Sequence, residues 1–110
     1  MRKHARRDDN HRAIVDALRA VGASVLDAAD LGGGAPDLVV GFRGHTYLLE
    51  AKDGRKPPSA RNLTLAEAAF HRAWRGDPVR TVESVADALL AIGAVAKPLP
   101  GRDPDEDLPF

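Results

Sequence analysis

The chain has 110 residues, 44% of them hydrophobic, which suits one packed domain and leaves little room for two. Sixteen basic and sixteen acidic side chains cancel, and there is no cysteine, which excludes disulfides and cysteine-ligated zinc. No apolar run approaches the roughly 20 residues that cross a bilayer, and no apolar core follows the basic N-terminus as in a signal peptide, so a cytoplasmic location is expected, with no membrane partner.

Along the chain, residues 1–7 read as a flexible basic arm. Asp8 or Asp9 caps a helix that runs to Val21, with Gly22 beyond it and Ile14, Ala17, Leu18 and Val21 as its apolar face. A short strand over 23–28 leads into the glycine-rich turn 30–36. Residues 37–42 and 45–52 form a hairpin closed at Arg43-Gly44. Pro57-Pro58 make 54–62 a loop. Thr64 and Glu67 form a capping box that opens a helix ending near Arg75. A strand over 79–82 precedes a helix over 83–92, whose core side is Val82, Val85, Leu89 and Ile92 and which Gly93 ends. The order α-β-β-β-α-β-α predicts a small α/β domain over 1–96, a mixed β-sheet flanked by helices. Residues 97–110, rich in proline and acid, read as a disordered tail. A domain this small buries a modest share of its surface, so a homodimer is a natural supplement.

Zero net charge conceals an uneven distribution. Residues 1–12 hold five Arg or Lys against two Asp, and residues 97–110 hold four acids against two basic side chains. Within 52–61, Lys52, Arg55, Lys56 and Arg61 stand against one Asp. A basic surface able to hold phosphates can therefore exist on a neutral chain. Solvated charges without a partner are the simpler alternative.

The hairpin carries the chemistry. Alternate residues of a strand share a face, so Leu48, Glu50 and Lys52 point the same way. A two-residue turn at Arg43-Gly44 pairs Phe42 with His45 and sets Asp37 opposite Glu50. Opposed Cβ atoms lie about 5 Å apart, and like charges there repel. Lys52 supplies one compensating charge, and Mg²⁺ or Mn²⁺ suits a carboxylate pair with room for water. The turn Gly32-Gly33-Gly34 offers close approach to a bulky anion. A hard cation, a lysine and nearby basic side chains form a set for phosphodiester hydrolysis. In that set Lys52 orients water or stabilises developing charge, and Arg55, Lys56 and Arg61 hold DNA phosphates.

"APD" followed by "EAK", that is Pro36-Asp37 and Glu50-Ala51-Lys52, resembles the signature of the PD-(D/E)XK nuclease superfamily. The short chain is most similar to its small resolvase-like and VRR-NUC-type members, which phages often encode. The resemblance covers roughly 9–93 and implies a restriction-endonuclease-like core. It also implies Mg²⁺ held by Asp37, Glu50 and the Ala51 carbonyl, with Lys52 acting on the water. Relatives often place a glutamate on the first helix, where Asp9, Asn10 or Asp16 would substitute. Resolvase-like relatives often carry a glutamine on the helix after the motif, where Glu67 stands.

Simpler roles exist for several of these residues. Asp37 can start a strand, and Glu50 and Lys52 can be a solvated pair. Asp8, Asp9 and Asn10 can be a helix cap, and Glu67 only a capping-box partner. His4, His11, His45 and His71 lack metal-ligand spacing. His71 and Trp74 can stack on a base or ribose, with packing beside Phe70 the simpler role.

The chain ends in Asp105, Glu106, Asp107, Leu108, Pro109 and Phe110. This tip resembles the C-terminus of bacterial single-stranded-DNA-binding proteins, which implies docking on host DNA-repair proteins that read such tips. Self-inhibition and a solubilising tail are its alternatives. The expected function is a DNA nuclease; the alternatives are a catalytically silent nucleic-acid-binding module and an adaptor acting through its tail.

Overall fold

The hairpin at the centre closes where the sequence predicts. Arg43 (φ 50°) and Gly44 (φ 82°) both adopt left-handed backbone, as a two-residue hairpin turn of matching twist requires. The structure, a computed structural model, describes residues 10–95. The basic arm, Asp9 and the tail 97–110 with its Asp105–Phe110 tip lie outside the described residues.

The elements are α1 (His11–Ala20), β1 (Ser24–Asp27), β2 (Leu38–Phe42), β3 (His45–Ala51), α2 (Pro58–Arg61), α3 (Leu65–Ala73), β4 (Arg80–Val82) and α4 (Val85–Ala91). They form an α/β fold with one four-stranded mixed sheet in the order β1-β2-β3-β4. The first three strands pair antiparallel, and β4 lies parallel to β3 after the crossover through α2 and α3. Leu38, Val40, Leu49, Ala51 and Val82 meet Ile14 and Leu18 of α1 and Ala88 of α4 on one face of the sheet. That face is the core. The opposite face carries Val39 and Leu48, over which Phe70 of α3 and Trp74 just beyond it fold.

Expectations shift at four elements. The first helix starts at His11 with Asn10 at the cap position expected for Asp8 or Asp9, and its buried side is His11, Ile14, Val15 and Leu18. Val21 is 40% exposed because the helix ends at Ala20 and Gly22, at φ 93°, turns the chain so that Ala23 is buried instead. The loop after the hairpin holds one helical turn, α2. Pro58 occupies its first position, where the missing N–H costs nothing. The third helix stops at Ala73, because Trp74 leaves helical backbone (ψ 129°) before Gly76-Asp77-Pro78. The last helix begins at Val85, capped by Ser84, whose hydroxyl accepts from the Asp87 N–H at 3.1 Å.

The glycine turn also has another use than the one expected. A Cβ on Gly34 (φ 80°) would collide with the Ala66 carbonyl, so this glycine lets the turn abut the first residues of α3. No such neighbour crowds Gly32 or Gly33.

Candidate functional site

The pairing Phe42↔His45 through Leu38↔Leu49, continued by one residue, sets Asp37 opposite Glu50. Two hydrogen bonds fix Asp37. Its carbonyl accepts from the Ala28 N–H at 2.7 Å, and its Oδ2 accepts from the Ala51 N–H at 2.9 Å. The carboxylate thus bridges the start of β2 to the end of β3. The next position of the register opposes Pro36 to Ala51, and proline has no N–H to donate to the Ala51 carbonyl.

Glu50 is 2% exposed and its Oε1 has no hydrogen-bond partner. Burial, then the adjacent Asp37, then Glu67, push its pKa up to about 9. Lys52, two residues on, is also buried. Its Nζ lies 3.1 Å from Glu67 Oε1 and 4.0 Å from Glu50 Oε2, so Glu67 takes most of its charge. Glu67 does two jobs. Its Oε1 accepts from the Thr64 N–H at 2.8 Å, and its own N–H donates to Thr64 Oγ1 at 3.1 Å, completing the capping box. Burial raises its pKa, but the Thr64 N–H and the Lys52 ammonium outweigh that and hold it below the ordinary glutamate value. The capping box thereby delivers a carboxylate to Lys52.

Asn10 serves a different purpose from the helix cap expected at this end of α1. Its side chain caps nothing. Its Nδ2 donates to the carbonyls of Lys52 (2.9 Å) and Glu83 (3.1 Å), clamping the start of α1 to the ends of β3 and β4.

Two basic residues of the loop, Arg55 and Arg61, are held by acids. Arg55 forks onto Asp53, with Nε to Oδ1 at 3.0 Å and Nη2 to Oδ2 at 2.8 Å, and pulls the Asp53 pKa down to about 2. Arg61 reaches Glu83 at 3.3 Å. Lys56, between them, is half-buried. Sequence reasoning missed Asp53 and Glu83 as anchors. The Asp53-Gly54-Arg55 spacing signalled the first; only the fold brings Glu83 to Arg61. It also missed the 3.0 Å contact of buried His11 with Asp27, which ties α1 to β1.

The donors fit a hard divalent cation. Glu50 avoids the repulsion of Asp37 by holding a proton; with both acids ionised the pair, one of whose oxygens is buried without a partner, would need positive charge, and Lys52 is mostly engaged by Glu67. Among the described residues no group of three or more His, Cys, Asp or Glu converges on a metal position. A cation at this position would have only Asp37, Glu50 and the Ala51 carbonyl to hold it, with water completing its shell, the sparse protein ligation that Mg²⁺ accepts. No helix among the described residues is long and apolar enough to cross a membrane. No family model, curated protein or solved structure matches the chain.

Proposed function

We propose that the protein is a metal-dependent nuclease that hydrolyses DNA phosphodiester bonds, its α/β sheet being a small restriction-endonuclease-like core of PD-(D/E)XK type. One observation carries this reading: the Asp37 and buried Glu50 carboxylates oppose each other, with the Lys52 ammonium beside them. Asp37 and Glu50, with the Ala51 carbonyl, would hold Mg²⁺ or Mn²⁺. When bound, the ion supplies Lewis-acid charge against the scissile phosphate and a more acidic water. Asp37 is pre-aimed by the Ala51 N–H, so its carboxylate needs little reorganisation. Lys52, steered by Glu67, is the cation that orients the attacking water and stabilises charge developing on the phosphate oxygens. Arg55, Lys56 and Arg61 lie beyond it as phosphate contacts. Asp53 and Glu83 already neutralise two of them, so their pull on DNA is weaker than the count of charges suggests.

The test is a panel of single-stranded, duplex, flapped and branched DNA incubated with Mg²⁺ or Mn²⁺. The wild type should cut at least one substrate, and Asp37→Ala and Lys52→Ala should each lower the rate by about a thousandfold or more without changing the far-UV circular dichroism. DNA binding with no cutting in either metal would leave a silent binding module. Negligible DNA affinity, with partner capture lost on deleting 105–110, would leave an adaptor.

A further inference from the structure

Beside the carboxylates lies an open apolar hollow of about 230 Å³, whose walls include Ala35, Pro36, Val39, Leu48, Phe70 and Trp74. It shares its framework with the site. Pro36 directly precedes Asp37, and Val39 follows it by two residues on the same strand face. Leu48 precedes Glu50 by two residues on their common face, a distance of about 7 Å along the strand. Phe70 and Trp74 lie stacked, ring centroids 5.4 Å apart and planes 15° from parallel, and the indole is 45% exposed. Gly76 makes room for that indole, since a Cβ there would fall 2.8 Å from Trp74 Nε1. A second hollow of about 210 Å³, touched by Thr46, Leu48, Trp74 and Asp77, continues along β3 away from the carboxylates.

We propose that this hollow, walled by the Phe70–Trp74 stack, receives one unpaired nucleobase of the strand whose phosphate lies at Asp37 and Glu50. The proposal rests on the nuclease reading and narrows its substrate. A nucleobase is flat, with apolar ring faces, and stacks on aromatic side chains whatever its identity. Side chains with so few polar atoms cannot read hydrogen-bonding edges, so the hollow accepts any base. A base inside a duplex has both faces covered by its neighbours and cannot enter. The preferred substrate therefore has a single-stranded or splayed nucleotide next to the scissile bond. The apolar wall and the charged site lie on one sheet face, within the reach of one nucleotide, which matches the alternation of base and phosphate along a strand.

Trp74 is the only tryptophan in the chain, so its fluorescence reports on the hollow directly. The full chain is titrated, with Ca²⁺ present, with a thymidine oligonucleotide about a dozen nucleotides long. The control has the same length and charge, with every base replaced by a tetrahydrofuran abasic spacer. The base-bearing strand should quench Trp74 and bind roughly ten- to a hundredfold more tightly. Trp74→Ala should remove most of that difference, and Trp74→Phe should keep most of it. Cleavage of both oligonucleotides in Mg²⁺ is followed in parallel. Equal binding and equal quenching by the two strands overturn the hollow as a base site, and cutting of both at the same rate would then leave the nuclease reading standing. Base-dependent quenching with no cutting of this strand, nor of flapped or branched DNA in Mg²⁺ or Mn²⁺, keeps the base site and overturns the nuclease. Emission that depends on protein concentration and not on DNA would make a second copy of the chain the occupant and overturn the proposal.

Discussion

The Lys52 ammonium lies 3.1 Å from the Glu67 carboxylate and 4.0 Å from that of Glu50. One acid from α3 therefore steers the lysine of the candidate site. Glu67→Ala should lower kcat by about ten- to a hundredfold with little change in KM, because Lys52 turns toward Glu50. It should also cost about 1 kcal/mol of stability through loss of the capping box. Glu67→Gln preserves an acceptor for the Thr64 N–H and should recover the stability but only part of the rate. Steady-state kinetics beside urea denaturation separates the two effects.

The proton on Glu50 makes stability depend on pH. Its folded pKa, about 9, lies above the ordinary 4.5. The stability it contributes is complete below 4.5 and is lost as pH rises toward 9, at no more than about 1.4 kcal/mol per pH unit. In EDTA the Tm should fall over that window, and Mg²⁺ should restore it most at the alkaline end, because metal binding displaces the proton. Glu50→Gln mimics the protonated acid. At about pH 8 in EDTA it should melt on the order of 5 °C above wild type, with the gap closing near pH 5. Thermal melts across pH, with and without metal, check both signs.

Asn10 discriminates between a clamp and a metal ligand. Asn10→Ala removes donors from the Lys52 and Glu83 carbonyls and should cost about 1–3 kcal/mol. Asn10→Asp sets an acceptor against those carbonyls. As a clamp residue it should be at least as destabilised as the alanine variant, with no gain in Mg²⁺ affinity. Calorimetric tightening of Mg²⁺ binding in Asn10→Asp would make it an accessory ligand instead.

Gly34 and Gly33 share left-handed backbone but not surroundings. Gly33→Ala should cost about 1 kcal/mol, from backbone strain alone. Gly34→Ala adds a collision with the Ala66 carbonyl and should cost at least about twice as much. Because Glu67 follows Ala66 directly, it should also lower the cleavage rate. Denaturant midpoints for the pair, with rates on one substrate, test this.

Local chemistry made much of this legible. Alternating apolar residues around Arg43-Gly44 predict the hairpin, and a two-residue turn leaves a single register, so the opposition of Asp37 to Glu50 follows from counting. Thr64 and Glu67 announce their capping box by spacing alone. The failures were one short helix and several element ends. Pro57-Pro58 read as loop although proline is welcome at the first helical position of α2. Val21 read as core although the helix stops one residue earlier.

By itself, then, the sequence determined the hairpin, its register and the meeting of two carboxylates at its open end, because those depend on a turn and on strand alternation over a few residues. Only the tertiary structure decided who partners the charges. Glu67 reaches Lys52 across 15 positions, Glu83 reaches Arg61 across 22, and Asn10 reaches the Lys52 carbonyl across 42. Such pairings depend on how helices pack on the sheet, and packing follows from the shape of a shared core that no local pattern encodes.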